Sequence, residues 1–261
     1  MRDVRVYSPG ALAGDAEVVL APGPSEHLLR VLRLRPGERF TAFDGTGGEY
    51  PAELRGVDGK RAIARLGAHE PVERESPLDL TLVQALLRAE KMDWIVQKAT
   101  ELGVRRIVPV EAARSVVHLD DRRAQRRAQR WREIAIGACE QCGRNRVPEI
   151  LEPAPFAAAL SWLAGVAPAP SSRIVLERGA SRSLAALARE TLAPATDAGG
   201  ASAHPSLALL IGPEGGLDPT ELAAAAGAGF QSVHLGPRVL RAETAALAAL
   251  ATIQAAIDAA R

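Results

Sequence analysis

The chain has 261 residues, 47% of them hydrophobic, a mean hydropathy near zero and a formal net charge of +1. That length is ample for a core in one large domain or two smaller ones. No run of about 18 apolar residues is present, so no helical membrane span is expected, and two cysteines, Cys139 and Cys142, make no disulfide framework. The opening MRDVRVYSPG has no apolar signal core, which points to the cytosol.

The halves differ in charge. Residues 1–150 hold 25 Lys and Arg against 22 Asp and Glu, a net of +3; residues 151–261 hold 7 against 9, a net of −2. Of the 32 basic residues 29 are Arg. Arginine forks bind phosphate and stack on bases, although GC-rich coding produces the same bias, so only clustering is informative.

Residues 1–70 read as a small β-rich domain. Short runs (RVYS, ERFTAFD, EYPAEL, RAIARL) are separated by Pro36-Gly37, Asp44-Gly45 and Asp58-Gly59, and Asp-Gly between apolar runs signals a hairpin. Short strands with tight turns suggest a barrel. Arg30, Arg33, Arg35 and Arg39 cluster around one turn after His27, as a nucleic-acid surface or as solvated charges. Residues 71–79, within EPVERESPLD, read as a linker.

From Leu80 the pattern changes to alternating strand and helix, the signature of a mainly parallel α/β sheet. LTLVQALL and RIVPV are strands, and Glu90 to Leu102 is a helix with Met92, Ile95, Val96 and Ala99 on one stripe, ended by Gly103. A long helix opens at Asp120 or Asp121, holds six arginines between Arg122 and Arg132, and runs into EQCGRNR. That run is a phosphate grip or a solvated helix face. Phe156 to Leu163 is a short helix, RIVLE a strand, and Ser181 to Leu192 a helix with Ser181 as its cap. Residues 193–205 read as a low-complexity surface loop. Leu207 to Ile211 is a strand; Asp218, Pro219 and Glu221 form a capping-box helix start. The run Gln231 to Leu235 leads to the turn LGPRVLRAETA and the last helix.

The chemistry is expected where strands end in glycine-bearing turns, because open α/β sheets bind ligands at the carboxyl ends of strands. Gly212-Pro213-Glu214-Gly215-Gly216 ends one strand and Gly236-Pro237-Arg238 another, with Arg241, Glu243 and Thr244 at the mouth of the last helix. Glu177-Arg178-Gly179 would supply a third wall. No Gly-Lys-Ser/Thr follows the first turn and G-x-G-x-x-G is absent, which excludes a P-loop and the dinucleotide fingerprint. Cys139 and Cys142 are spaced as C-x-x-C, but a second pair for zinc is lacking and the motif lies near a helix end, where redox pairs do not ordinarily sit. His27, His69, His118, His204 and His234 show no ligand spacing, so no metal is expected.

Taken together, the chain resembles the 16S rRNA uracil-N3 methyltransferases (RsmE-type) of the SPOUT, or trefoil-knot, class. The matching segments are HLLRVLRLRPGERFTAFDGTGGEY, KMDWIVQKATELGVRRIVPV with ARSVV, RWREIAIGACEQCGRNRVPEI, LLIGPEGGLDPTE and LGPRVLRAETAALAAL, in the family's order and across nearly the whole chain. The resemblance implies a PUA-like RNA-binding barrel over 1–70 and a knotted α/β methyltransferase domain over 80–261. It also implies S-adenosylmethionine (SAM) as cofactor, a homodimer, and methylation of N3 of a uridine in the 16S rRNA of the small ribosomal subunit. The SAM loops would be Leu176, Glu177 and Gly179; Ile211, Gly212, Pro213, Glu214, Gly215 and Gly216; and Leu235, Gly236, Arg238, Val239 and Leu240, with Thr244. Arg2, Arg5, His27, Arg30, Arg33, Lys91, Arg114 and Gln141 match positions facing RNA or the target base. Cys142 stands where Ser is commoner and Ala242 where Thr is common. Uridine N3 must lose its proton to attack a methyl group, so Arg144 or Arg241 is expected to stabilise the uracil anion, and Glu243 or Glu140 to take the proton. A SPOUT enzyme for another RNA site or a ribose oxygen, and a non-catalytic RNA-binding or ribosome-assembly protein, are the alternatives.

Overall fold

The computed structural model describes residues 4–166, 169–191 and 206–259. The chain divides into two units, Met1–Glu75 with Ile136–Val147, and Ser76–Ala135 with Pro148–Arg261. Arg2, Leu192 and the loop expected at 193–205 lie outside the described residues.

In the first unit, period-two alternation builds a five-stranded sheet. Its strands are β1 (Arg5–Tyr7), β2 (Glu17–Val19), β3 (Arg39–Phe43), β4 (Tyr50–Asp58) and β5 (Arg61–Leu66), in the order β1-β3-β4-β5-β2. Only β1 and β3 run parallel. Alternate residues Tyr50, Ala52 and Leu54 of β4 and Ala62, Ala64 and Leu66 of β5 point into one core with Val6, Leu20, Leu28 and Phe40. The Asp58-Gly59 turn joins β4 to β5 with Gly59 at φ +58°, a left-handed conformation that favours glycine. Asp44 makes its turn by accepting bonds from Thr46 N and Oγ1 at 2.9 and 2.7 Å. Pro36-Gly37 also turns the chain, Glu38 N donating to Arg35 O at 3.0 Å with Gly37 at φ +92°, and leads into β3. Between β2 and β3 the chain forms a short helix α1 (Pro22–Glu26) and a π-helical turn, His27–Val31, which no periodicity announces.

Two corrections follow from long-range pairing. Residues 70–75 are not a free linker: Glu70 exchanges backbone hydrogen bonds with Glu49, both 2.8 Å, and Val72, Glu73 and Glu75 accept bonds from Asn145, Arg146 and Arg144. The EQCGRNR segment accordingly belongs to the first unit, not to a continuous domain 80–261. At the centre of this network lies Glu49, 8% exposed, bonded by Arg5 at 2.7 Å, Arg74 at 2.9 Å and Asn145 at 3.1 Å. Burial raises the Glu49 pKa, but the bonds from Arg74, Arg5 and Asn145 outweigh it and bring the value down to about 2.

The second unit is a parallel sheet. Its strands are β6 (Asp79–Ala85), β7 (Arg106–Glu111), β8 (Glu149–Ile150), β9 (Ala154–Pro155), β10 (Ser172–Leu176), β11 (Ser206–Ile211) and β12 (Gln231–Val233). The order is β12-β10-β11-β6-β7-β8, with β9 also on β7. The helices are α2 (Ala89–Glu101), α3 (Asp121–Cys142, whose last turns belong to the first unit), α4 (Phe156–Gly165), α5 (Leu184–Thr191), α6 (Pro219–Gly227) and α7 (Ala242–Asp258). Val83, Val108, Val175 and Leu210 face a core closed by α4 and α6. On α2 the expected stripe Met92, Ile95, Val96 and Ala99 is buried, and this helix packs on α7, which also packs on α5. α5 starts at Leu184, and its cap is Ser183, whose Oγ accepts from Ala186 N at 3.2 Å, not Ser181. Residues 181–182 instead precede a bridge from Ser183 to His234.

Candidate functional site

Because β12, β10 and β11 are adjacent and parallel, their carboxyl ends lie side by side, and the three following loops face one another. The loop after β10 is zipped to the one after β12: Glu177 N donates to Val233 O, His234 N to Arg182 O and Leu184 N to His234 O, each at 2.9 Å. Gly236, at φ +100°, donates its N–H to His234 Nδ1 at 2.9 Å. The loop after β11 turns back through Gly216 N to Pro213 O at 2.9 Å. A Cβ on Gly212 would stand 3.1 Å from Leu217 N, so a side chain there would push the turn open by a few tenths of an ångström. Arg114 holds the loop from outside, donating to Gly215 O at 3.0 Å.

Together these loops enclose a cavity of about 470 Å³. Its wall holds Leu176, Glu177, Ile211, Gly212, Pro213, Glu214, Gly215, Gly216, Leu235, Gly236, Arg238, Val239, Leu240 and Arg241. Gly179 and Thr244 are not part of it; Gly179 follows the wall residue Arg178, and Thr244 faces a neighbouring hollow. Arg178 of the expected third wall lines the cavity as well, and Leu217, Val233, His234, Ala242 and Ala245 line it without having been expected there. Ala245 had a signal, since it lies four residues after Arg241 on the same face of α7.

The capping box predicted at Asp218 is present: Glu221 N donates to Asp218 Oδ1 at 2.7 Å and Asp218 N to Glu221 Oε2 at 2.9 Å. The other Glu221 oxygen accepts from Ala113 N at 2.7 Å, so one buried carboxylate joins the start of α6 to the loop after β7. On the opposite side, Lys91 Nζ lies 2.9 Å from Glu214 Oε1 and 3.2 Å from Glu243 Oε2. Partial burial works against the Glu214 charge, but the bond from Lys91 and its positive charge outweigh this and lower the Glu214 pKa. The bonds to Glu214 and Glu243 raise that of Lys91.

A second hollow, of about 450 Å³, lies beside the first and is lined by Glu90, Lys91, Trp94, Arg241, Glu243 and Thr244. Arg241 lines both. It is the N-cap of α7, exposed, and pairs with no carboxylate among the described residues.

The structure distributes the other expected site residues unevenly. Arg144 belongs to the first unit, where its side chain is 4% exposed and forks onto Glu75 at 2.9 and 2.6 Å. Arg5 is buried in the Glu49 network and also donates to Asn145. Glu140 accepts from Tyr7 N at 3.0 Å, and burial raises its pKa. By contrast Arg30, Arg33 and Gln141 are exposed and His27 is half-buried. Arg33 holds a left-handed backbone at φ +56°, rare for a long side chain and a mark of functional sites. Of the arginines on α3, Arg130 pairs with Asp93 at 2.7 Å and Arg132 donates to Ile150 O, while Arg122, Arg123 and Arg126 face solvent. Cys139 is buried, and burial pushes its thiol up to about 12, away from the reactive thiolate form. No group of three metal-binding side chains occurs among the described residues, and no helix there is long and apolar enough to cross a membrane.

A parallel α/β sheet with a glycine-walled cavity at its carboxyl ends, following a small β-rich unit, defines a cofactor-binding class of protein. Residues 74–254 match the RNA methyltransferase domain family and residues 25–67 the RNA methyltransferase PUA domain family. A methyltransferase structure from Legionella pneumophila, solved with bound SAM, aligns at 35% identity over 98% of both chains with a TM-score of 0.86. Ribosomal RNA small subunit methyltransferase E from Neisseria gonorrhoeae, bound to SAM, aligns at 36% identity over 97% of this chain and 98% of that one, TM-score 0.79. The Bacillus subtilis protein of the same name is 32% identical over 87% of this chain and 85% of its own length. The fold is therefore that of the knotted SPOUT methyltransferases with a PUA-like N-terminal domain. The chain belongs to the ribosomal RNA small subunit methyltransferase E family.

Proposed function

We propose that the protein transfers a methyl group from SAM to N3 of one uridine in the 16S rRNA of the small ribosomal subunit. The observation that carries this is the cavity of about 470 Å³ at the ends of β10, β11 and β12, in a chain whose relatives are solved with SAM. Its size lies within the range of roughly 300–1,000 Å³ common for small-ligand sites. Its wall fits the cofactor chemically. Leu176, Ile211, Leu217, Val233 and Leu240 offer apolar surface for an adenine ring, Glu177 an acceptor for ribose hydroxyls, and Gly212, Gly215 and Gly216 a backbone that a ligand can approach closely.

Bound SAM supplies a methyl carbon on a positively charged sulfur. The protein must present uridine N3 in line with it and help N3 to lose its proton. Arg241, shared by both hollows and free of a carboxylate partner among the described residues, is placed to stabilise negative charge on the uracil oxygens. Glu243, held beside Lys91, accepts the N3 hydrogen bond and relays the proton to water. The N3 electron pair then forms the new nitrogen–carbon bond while the carbon–sulfur bond opens onto sulfur. Arg144, enclosed against Glu75, is assigned a positioning role in the first unit instead. Exposed Arg30, Arg33 and Gln141 offer contacts to RNA phosphates or bases. The active form is a cytosolic homodimer.

Calorimetry with SAM tests the pocket. Mapping of methylated nucleotides in 16S rRNA from a deletion strain, with and without the restored gene, tests the reaction. A tight SAM complex and one uridine modification that returns with the gene are expected; an unchanged methylation map refutes the assignment.

A further inference from the structure

We infer that the hollow lined by Trp94 and Arg241 is the seat of the extruded target base, with the Trp94 indole as its stacking platform. This rests on the methyltransferase function proposed above. The chain has three tryptophans. Trp131 is 1% exposed and donates its ring N–H to Asp93 at 3.1 Å; Trp162, on α4, is partly buried against the core. Trp94 alone of these is 43% exposed. A single exposed tryptophan is ordinary, but this one has a particular setting. It lies three residues after Lys91 on the face of α2 opposite the buried stripe, so indole and ammonium are neighbours. Both line a hollow whose other wall is Arg241, Glu243 and Thr244, and Arg241 also lines the cofactor cavity. A planar group against Trp94 would thus lie next to the place where the methyl donor is held.

The polar rim matches one base. Uracil presents N3–H between two carbonyl oxygens, so it requires an acceptor flanked by donors. Glu243 is the acceptor; Arg241, Lys91 and the Thr244 hydroxyl are the donors. Cytosine lacks the N3 hydrogen and replaces one carbonyl by an amino group, which sets an acceptor against Glu243 and a donor against a cation. The seat therefore selects uracil as well as holding it, as flipped bases are read by their pairing edge and by aromatic stacking.

The test uses the full-length protein with small subunits, or their rRNA, lacking the modification. Base–aromatic stacking is worth about 1–3 kcal/mol per base, so Trp94→Ala should lower kcat/KM for RNA by about 5- to 150-fold while SAM affinity by calorimetry stays unchanged, because Trp94 is not in the wall of the cofactor cavity. Trp94→Phe, which keeps an aromatic face, should recover most of the loss. Full activity of Trp94→Ala overturns the proposal. So does a loss explained entirely by a change of oligomeric state in sedimentation, which would mean that a second copy covers Trp94. If the wild type binds RNA and SAM but leaves the uridine unmethylated, the proposed function fails on its own, and RNA affinity of Trp94→Ala against wild type still decides whether the indole holds a base.

Discussion

Lys91 Nζ stands 2.9 Å from Glu214 Oε1, joining the solvent-facing side of α2 to the middle of the glycine turn after β11. The same ammonium reaches Glu243 at 3.2 Å, so one cation orients the glycine turn and the carboxylate that faces the second hollow. Both partners of the Lys91–Glu214 pair are about one-third exposed, and water screens such pairs strongly. Lys91→Met should weaken SAM binding by about fivefold or less, with a larger fall in the methylation rate because Glu243 loses its partner. The pH dependence has two limits. The lowered pKa of Glu214 means the tether is complete above the ordinary carboxylate range and fails as pH drops through the lowered value; the raised pKa of Lys91 means it holds below the ordinary lysine range and fails as pH climbs through the raised value. Calorimetry on both proteins should show their difference in SAM affinity at neutral pH and its disappearance in acid.

Glu49 sets the acid limit of the first unit. Its pKa falls from 4.5 to about 2 despite burial, because Arg74, Arg5 and Asn145 bond to the charged form. A depressed carboxylate stabilises the fold above its unfolded pKa and ceases to do so as pH falls through the folded one, so the loss should run between about pH 4.5 and 2. Glu49→Gln leaves Arg5 buried without its counter-charge and should destabilise by about 3 kcal/mol at neutral pH. Thermal melts across pH 2–7 would show a steep acid limb in the wild type and a flatter one in the variant; parallel curves would exclude Glu49 as the source.

The two cysteines should behave as separate groups. Cys139 is buried with its thiol pushed up to about 12, whereas Cys142 is partly exposed. A thiol reagent at neutral pH should label Cys142 in the folded protein and Cys139 only after denaturant is added, with no disulfide formed between them on mild oxidation.

What the sequence revealed and what it hid divide along one physical line. Asp218, Pro219 and Glu221 act within a single turn, so their capping box could be read from spacing alone, as could the α2 stripe and the Asp58-Gly59 hairpin. The cavity wall was legible for the same reason: each loop directly follows an apolar strand. The pairing of residues 70–75 with 144–146 was not, because it joins segments about 70 positions apart through charged side chains that look like solvated surface in the sequence. The setting of Arg144 was hidden on that account; its partner Glu75 sits in a stretch that reads as linker. Trp94 was overlooked because its helix announces only its apolar face, and an aromatic residue off the stripe has no periodic signal.

Gly236 and Gly212 should fail differently when replaced by alanine. Gly236 is held at φ +100°, where an L side chain is strained by about 1–3 kcal/mol, but its Cβ would meet nothing within 4 Å. Gly212 has no such dihedral demand, yet its Cβ would press 3.1 Å from Leu217 N, which is backbone and cannot swing aside. Gly236→Ala should lower stability while the other loops keep their shape, with SAM affinity partly retained. Gly212→Ala should shift the turn that forms the cavity wall by a few tenths of an ångström and weaken SAM binding more than Gly236→Ala does. Melting temperature and SAM titration on both variants separate the cases.

Asp218→Ala and Glu221→Ala remove the two halves of one capping box, yet Glu221 has a further role. Loss of the Asp218 carboxylate leaves one helix N–H without its cap and should cost about 1 kcal/mol. Loss of Glu221 frees Asp218 N and also Ala113 N, which its second oxygen binds at 2.7 Å in a buried position. Two unmet donors, one of them linking the loop after β7 to α6, should bring the total to about 2–4 kcal/mol. The same loop carries Arg114, whose bond to Gly215 O supports the glycine turn of the cavity wall. Glu221→Ala should therefore weaken SAM binding as well as lower the melting temperature, whereas Asp218→Ala should alter mainly the latter. Glu221→Gln, which keeps an oxygen acceptor, should recover most of both; equal effects of Asp218→Ala and Glu221→Ala on SAM affinity would show that the link through Ala113 does not reach the pocket.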